Sequence, residues 1–123
     1  MMICVTSEEN SSNANVSSRF GRSKYFLFFE SDKNEISKIV ENSAISVGRG
    51  AGISAAQEMV EQKVNVVITG RVGPNAFNAL SSSGIKIYDG TSFLVKEAVE
   101  KFKKGELDSI EKALAGPGFN RQG

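Results

Sequence analysis

The run VNVVITGRVGPNAFNAL, from Val64 to Leu80, constrains the fold more than any other part of the chain. Its apolar first half reads as a buried strand. Gly70 ends that strand, Gly73 is a permissive approach to a helix, and Pro74 suits the first helical position, where its missing N–H costs nothing. Gly84 is placed to close the helix. Backbone chemistry alone accounts for this turn, so the strand and helix form a unit whatever else the loop does.

The segments around it extend the pattern. Met2 to Thr6 is a short run of β-formers followed by the polar stretch SEENSSNANVSS, a buried strand and then a loop. KYFLFFES and EISKIVEN flank Ser31-Asp32-Lys33-Asn34, which predicts a β-hairpin. After SVGRGAG the period changes. Ile53, Ala56, Gln57 and Val60 recur at helical spacing and predict the inner face of a helix. IKIYDG then reads as a strand, and SFLVKEAVEKFKKG as a helix with Phe93, Val95, Ala98, Val99 and Phe102 on its apolar side. Leu107, Ile110 and Leu114 suggest a short amphipathic turn before a Gly/Pro tail, expected to be mobile from Gly116 onward unless something holds it. The order βββαβαβα predicts a layered α/β domain over residues 1–115 whose later strands are parallel, with ligand-binding loops gathered at the strands' carboxyl edge.

Composition narrows the function. A length of 123 residues with 40% hydrophobic and 24% charged residues fits one globular domain. A net charge of +1 argues against coating nucleic acid. No apolar run reaches the roughly 20 residues needed to cross a bilayer, and MMICVTSEEN lacks the features of a signal peptide, so no membrane association and a cytoplasmic location are expected. The chain has no histidine and one cysteine, which excludes an intrachain disulfide, a zinc site built from Cys and His, and His-dependent nucleophilic catalysis. Glu8, Glu9, Asp32, Glu58, Glu61 and Asp89 are isolated in polar or turn contexts, with no acid–base pair set by spacing. The chain is therefore expected not to be an enzyme.

Three loops converge on the predicted carboxyl edge: GRGAG at Gly48–Gly52, GRVGPN at Gly70–Asn75, and DGTS at Asp89–Ser92. Each presents backbone N–H groups at the positive end of a helix dipole, which suits an anion. None matches a P-loop, and singly each is a weak signal. Four of the five arginines lie in glycine-containing loops: Arg19 and Arg22 in SSRFGRS, Arg49 in GRGAG and Arg71 in TGRVG. The rigid donor fork of arginine suits carboxylate, phosphate or polyanions. If the first loop folds over the same edge, the four form one anion-binding rim; the alternative is four solvated arginines, each with a separate carboxylate neighbour. Cys4 as a thiolate would offer a soft metal ligand, but within MMICVT it is expected to pack as a small apolar residue.

Taken together, SSRFGRSKYFLFFE, GRGAGISAAQEMV, VNVVITGRVGPNAFNALSSSGIKIYDG and SFLVKEAVEKFKKGEL resemble, in order and to about Leu107, the dinitrogenase iron-molybdenum cofactor biosynthesis family of nitrogenase accessory factors. The resemblance implies a ribonuclease H-like, three-layer α/β fold with a mixed five-stranded sheet. It also implies a carrier or chaperone, without chemistry of its own, for the iron-molybdenum cofactor or an iron-sulfur precursor. Such a carrier serves cofactor donor and acceptor proteins, as a monomer or homodimer. The implied binding residues are Arg19, Phe20, Gly21, Arg22, Arg49, Gly50, Gly52, Gly70, Arg71, Gly73 and Asn75. Where nitrogenase-linked members often carry histidine before Phe-Gly in the first loop, this chain carries Arg19. Two other readings stay open: a metal-free binding or sensory module for a nucleotide or small anion, and a protein-interaction module acting through the tail.

Overall fold

β2, Tyr25–Glu30, has four consecutive buried side chains, Phe26 to Phe29, and only a strand covered on both faces can hide such a run. The computed structural model describes residues 1–43 and 50–112 and places β2 inside a five-stranded sheet. Arg49, Leu114 and the 116–123 tail lie outside the described residues.

The other strands are β1 (Met2–Ser7), β3 (Ile36–Glu41), β4 (Val66–Thr69) and β5 (Lys86–Asp89), in the order β3-β2-β1-β4-β5. β2 is antiparallel to both β1 and β3, whereas β1–β4 and β4–β5 are parallel. The sheet is thus mixed, and the expected order βββαβαβα is the observed one.

Three helices complete the layers: α1 (Ala51–Glu61), α2 (Pro74–Ser82) and α3 (Val95–Lys103). Alternation along the strands divides the core. Cys4, Phe26, Phe28, Val67 and Ile87 face α1 and α2, packing with Met59 and Leu80. Ile3, Val5, Leu27, Phe29 and Ile68 point the other way, against Val95, Ala98 and Val99 of α3. Phe93 and Phe102 join that second cluster, so the apolar side expected for α3 is the side it buries.

Two expectations are corrected. In α1 the buried face is Ala51, Ala55, Ala56 and Met59, while Ile53 and Val60 are 40% and 47% exposed and Gln57 is exposed. The reason is close approach: α1 packs on α2 and on the turn at residues 20–22, with Gly52 against Gly21 and Ala76 and alanines along most of the contact, and Met59 alone reaching into the core as a long side chain. Helical spacing recovered the helix but assigned the larger aliphatic residues to the wrong side. The second correction concerns Leu107 to Ile110, which form no helical turn. Asp89 N–H donates to the Asp108 carbonyl at 2.9 Å and Ile110 N–H to the Ile87 carbonyl at 2.8 Å, so the segment runs extended along the outer edge of β5. Ile110 and Leu107 still pack inward, one on each core cluster.

α2 begins with Gly73 as N-cap and Pro74 at the first turn, and Gly84, at φ +79°, closes it while Ile85 N–H donates back to the Leu80 carbonyl.

Candidate functional site

The first loop leaves β1 at Ser7 and doubles back at once. Ser7 and Val16 form an antiparallel bridge, and Ser17 N–H donates to the Thr6 carbonyl at 2.9 Å. The chain then runs beside the end of β4, where Arg71 N–H donates to the Ser18 carbonyl at 2.7 Å and Phe20 N–H to the Arg71 carbonyl at 2.8 Å. These two bonds make Arg19 and Arg71 partners in a parallel bridge, and side chains of such partners emerge on the same face of a ladder. Gly70 is what permits the approach, since a Cβ there would sit 2.4 Å from the Ser18 carbonyl oxygen.

A short 3-10 turn, Phe20–Arg22, follows. The Phe20 ring is buried 6.5 Å from that of Phe26, so Phe20 anchors the loop from within the core and offers no surface to a ligand. Gly21 touches the start of α1: a Cβ on it would lie 2.8 Å from the Gly52 Cα and N. Gly52 in turn faces Ala76, whose Cβ would be 3.2 Å from a Cβ at Gly52. The turn and the N-termini of α1 and α2 therefore meet at the carboxyl edge of β1 and β4. Gly50, at φ +83°, is the N-cap of α1; neither it nor Gly73 supplies a side-chain cap, which leaves the first-turn N–H groups of both helices without that partner. Asn75 is exposed in the first turn of α2.

The third loop does not contribute in the way its sequence suggests. α3 starts at Val95, several residues beyond DGTS, and its N-terminus is already satisfied. Val95 N–H donates to the Ala14 carbonyl, Lys96 N–H to the Ser12 carbonyl, and Leu94 N–H to Glu97 Oε1 at 2.9 Å. The first loop has taken the place an anion would need. Within DGTS, Asp89 Oδ1 accepts from Thr91 N–H, an Asx turn that positions the chain and nothing more.

The electrostatics favour the arginine side of the edge. Arg19, Arg22 and Arg71 are all exposed, Arg22 at the end of the 3-10 turn. Among the described residues the ion pairs are Lys101–Glu106 at 3.7 Å and Lys104–Glu100 at 4.0 Å, so no carboxylate neutralises Arg19 or Arg71. Separate acidic neighbours do not account for these two. A hollow of about 200 Å³ beside α1 is lined instead by Glu41, Glu58 and Glu61 with Asn42, Ser43 and Gln57, and would repel an anion. Arg49 lies outside the described residues.

Cys4 is fully buried, and burial first, then the charge of Glu58, pushes its thiol well above the usual value of 9.0. It stays protonated and apolar, as expected of a packing residue. Among the described residues no three of His, Cys, Asp and Glu gather to hold a metal ion.

Two features of the site have no motif in the sequence. Asn42, 4% exposed, donates through Nδ2 to the Ser23 carbonyl at 2.7 Å and the Gly21 carbonyl at 3.3 Å, tying the 3-10 turn to the chain just past β3, the second strand of the hairpin. Thr6 and Thr69, both buried, join their hydroxyls at 2.7 Å where β1 and β4 end. Threonine as the last residue of both apolar runs, MICVT and VVIT, was the available signal for the second.

Comparison with known proteins gives consistent likenesses. The family described as dinitrogenase iron-molybdenum cofactor matches residues 1–105. An uncharacterized protein of Methanocaldococcus jannaschii is 30% identical over 101 residues, covering 80% of this chain and 86% of its own. The apo form of the orange protein from Desulfovibrio gigas superposes with a TM-score of 0.85 at 32% identity, over 91% of this chain and 94% of the other. A NifB-like protein from Thermotoga gives a TM-score of 0.76 at 30% identity, over 88% and 91%.

Proposed function

Because the chain belongs to the dinitrogenase iron-molybdenum cofactor family, we propose that it is a non-enzymatic carrier that binds an anionic iron-molybdenum or iron-sulfur cofactor, or its precursor, and passes it between a donor and an acceptor protein in the cytoplasm. The observation that carries this reading is the Arg19–Arg71 bridge. It sets two guanidinium groups, without carboxylate partners among the described residues, beside two helix N-termini that lack side-chain caps. Fixed donors and positive dipole ends at one edge suit a compact polyanion.

The residues fit such a cargo in one specific way. With no histidine in the chain and Cys4 sealed in the core, the described residues offer charge and hydrogen bonds but no accessible thiolate or imidazole to bind a metal. The cargo is then a cluster whose metals are already saturated by its own sulfide and organic ligands, held from outside by Arg19, Arg22 and Arg71, with Arg49 as a fourth member. Gly50 and Gly73, with nothing within 4 Å of where a Cβ would stand, supply close backbone approach and Asn75 is exposed beside them, whereas Gly52 and Gly70 are taken up by contacts with Ala76 and Ser18. Likeness to an orange protein described in an apo form supports a ligand-carrying role. We assign the fold to the ribonuclease H-like group and treat residues 1–115 as one domain; the order β3-β2-β1-β4-β5 with an antiparallel β2 supports that assignment.

The test is anaerobic. Protein mixed with isolated iron-molybdenum cofactor is passed over a sizing column, and iron, molybdenum and visible absorbance are measured in the protein peak. Stoichiometric co-elution, weakened in Arg19→Ala and Arg71→Ala, is expected; a metal-free peak refutes the reading. A second reading, a metal-free module for a nucleotide or small anion, is favoured by the same lack of an accessible thiolate or imidazole among the described residues. It predicts stabilisation of about 2.7 kcal/mol at a ligand concentration 100 times the dissociation constant, visible as a thermal shift in an anion panel.

A further inference from the structure

Backbone pairing along β4 is interrupted at the edge that carries the rim. On the β1 side it ends at Val5↔Ile68 and resumes, with a different stretch of chain, at Arg19↔Arg71. On that side Thr69 and Gly70 lie in the gap, while on the other Thr69 stays paired with Asp89 of β5. β1 has already turned to another partner here, because the Thr6 carbonyl accepts from Ser17 N–H. What spans the gap is a side-chain bond, Thr6 Oγ1–H donating to Thr69 Oγ1 at 2.7 Å.

The location of this pair follows from strand alternation. Thr6 shares a face with Cys4, and Thr69 with Val67, so both point to the α1/α2 side. At the carboxyl ends of their strands, that side is where α1 and α2 begin. Both threonines are 0% exposed. Two hydroxyls carry two protons, and the bond between them uses one; no other acceptor for either hydroxyl is present among the described residues. Valine would fill the same space without a buried polar group to satisfy, so packing alone does not explain threonine at both positions.

We propose that the Thr6–Thr69 hydrogen bond is the positioning tie of the arginine rim. It carries the register of β4 across the gap, so that Gly70 meets the Ser18 backbone and Arg19 and Arg71 emerge together toward one anion. Thr69 acts through Arg71 and does not itself touch the cargo. The inference rests on the carrier reading.

The experiment titrates isolated iron-molybdenum cofactor anaerobically into the wild type, Thr69→Val, Thr6→Val and Thr69→Ser, and records the unfolding midpoint of each. Loss of one net hydrogen bond's worth of positioning weakens binding about fivefold in either valine variant. Thr69→Ser, which keeps the hydroxyl and loses the methyl, binds like the wild type. A role confined to packing gives the opposite pattern, with serine the more damaged and affinity unmoved in folded valine variants. Two results overturn the tie: both valine variants within about twofold of the wild type, or serine as weak as valine. Should one valine variant fail to fold, the other carries the comparison. Failure of the wild type to bind refutes the carrier reading and the tie with it, whereas wild-type binding with indifferent threonines refutes the tie alone.

Discussion

Gly70→Ala tests how the first loop is fastened to β4. The added Cβ would lie 2.4 Å from the Ser18 oxygen, 2.6 Å from its carbonyl carbon and 2.7 Å from its Cα. All three are backbone atoms, so no side chain can rotate away, and the Ser18–Phe20 stretch must retreat. Overpacking of this kind costs about 1–3 kcal/mol. The retreat also stretches the Arg71–Ser18 and Phe20–Arg71 bonds, at 2.7 and 2.8 Å, each contributing about 1 kcal/mol net. Strain relieved by movement is not paid in full again through the bonds, so we expect about 3 kcal/mol in total. With an unfolding entropy of about 2.1 cal/mol/K per residue, a chain of 123 residues shifts its melting temperature by about 4 °C per kcal/mol, hence by about 12 °C. Thermal melts followed by circular dichroism read this directly. Gly73→Ala is the control: its Cβ would meet nothing within 4 Å and its φ is −73°, so it should stay within about 1 kcal/mol of the wild type. A Gly70→Ala protein melting within about 4 °C of the wild type would refute the close approach and the loop path built on it.

Other outcomes follow from single features. Lys63 holds φ +59° just past the end of α1, where Val64 N–H donates to the Met59 carbonyl; Lys63→Gly should stabilise by about 1 kcal/mol in denaturant melts, and destabilisation would mean that the lysine side chain matters there. The Cys4 thiol, raised by burial and then by Glu58, ionises in the unfolded chain before the folded one. Its contribution is complete below the unfolded thiol value of 9.0 and is lost, at up to about 1.4 kcal/mol per pH unit, as pH rises from there toward the folded value. Cys4→Ala should remove that alkaline slope, although it lowers stability at neutral pH; equal slopes would contradict the burial of the thiol. Arg71→Ala should leave the melting temperature within about 2 °C, because it has no ion pair among the described residues, while weakening cofactor binding; a large loss of stability would point to a structural arginine.

The layered architecture was legible because each strand and helix carries its own period and punctuation. Gly73-Pro74 at the start of α2 and Gly84 at its end are local backbone signals, and local signals survive folding unchanged. The inner face of α1 was not legible, since Ile53 and Val60 outrank alanine on hydrophobicity, and only the proximity of Gly21 and Ala76 makes small residues the ones that fit. The site divides in the same way. That Arg71 lies at the carboxyl edge was readable from its strand–glycine–helix context, but Arg19 joins it only because the first loop returns beside β4, which the sequence left as a condition. The satisfied N-terminus of α3 depends on carbonyls at Ser12 and Ala14, more than 80 positions away in the chain. Asn42 was invisible for a similar reason: a lone asparagine after a strand says nothing about which carbonyls it will reach.

The first loop crosses from one side of the sheet to the other. Residues 12–16 seal the start of α3, and within a few positions residues 18–22 form the arginine bridge and brace α1. A single strap therefore belongs to both outer layers. If it lifts, it withdraws partners from the amides of Val95 and Lys96 and from that of Arg71 in the same motion, so the two sides of the sheet open as one cooperative unit. A rim fastened in this way does not loosen by side-chain motion alone. Any lifting of the loop at the arginine edge is also felt at the first turn of a helix on the opposite face.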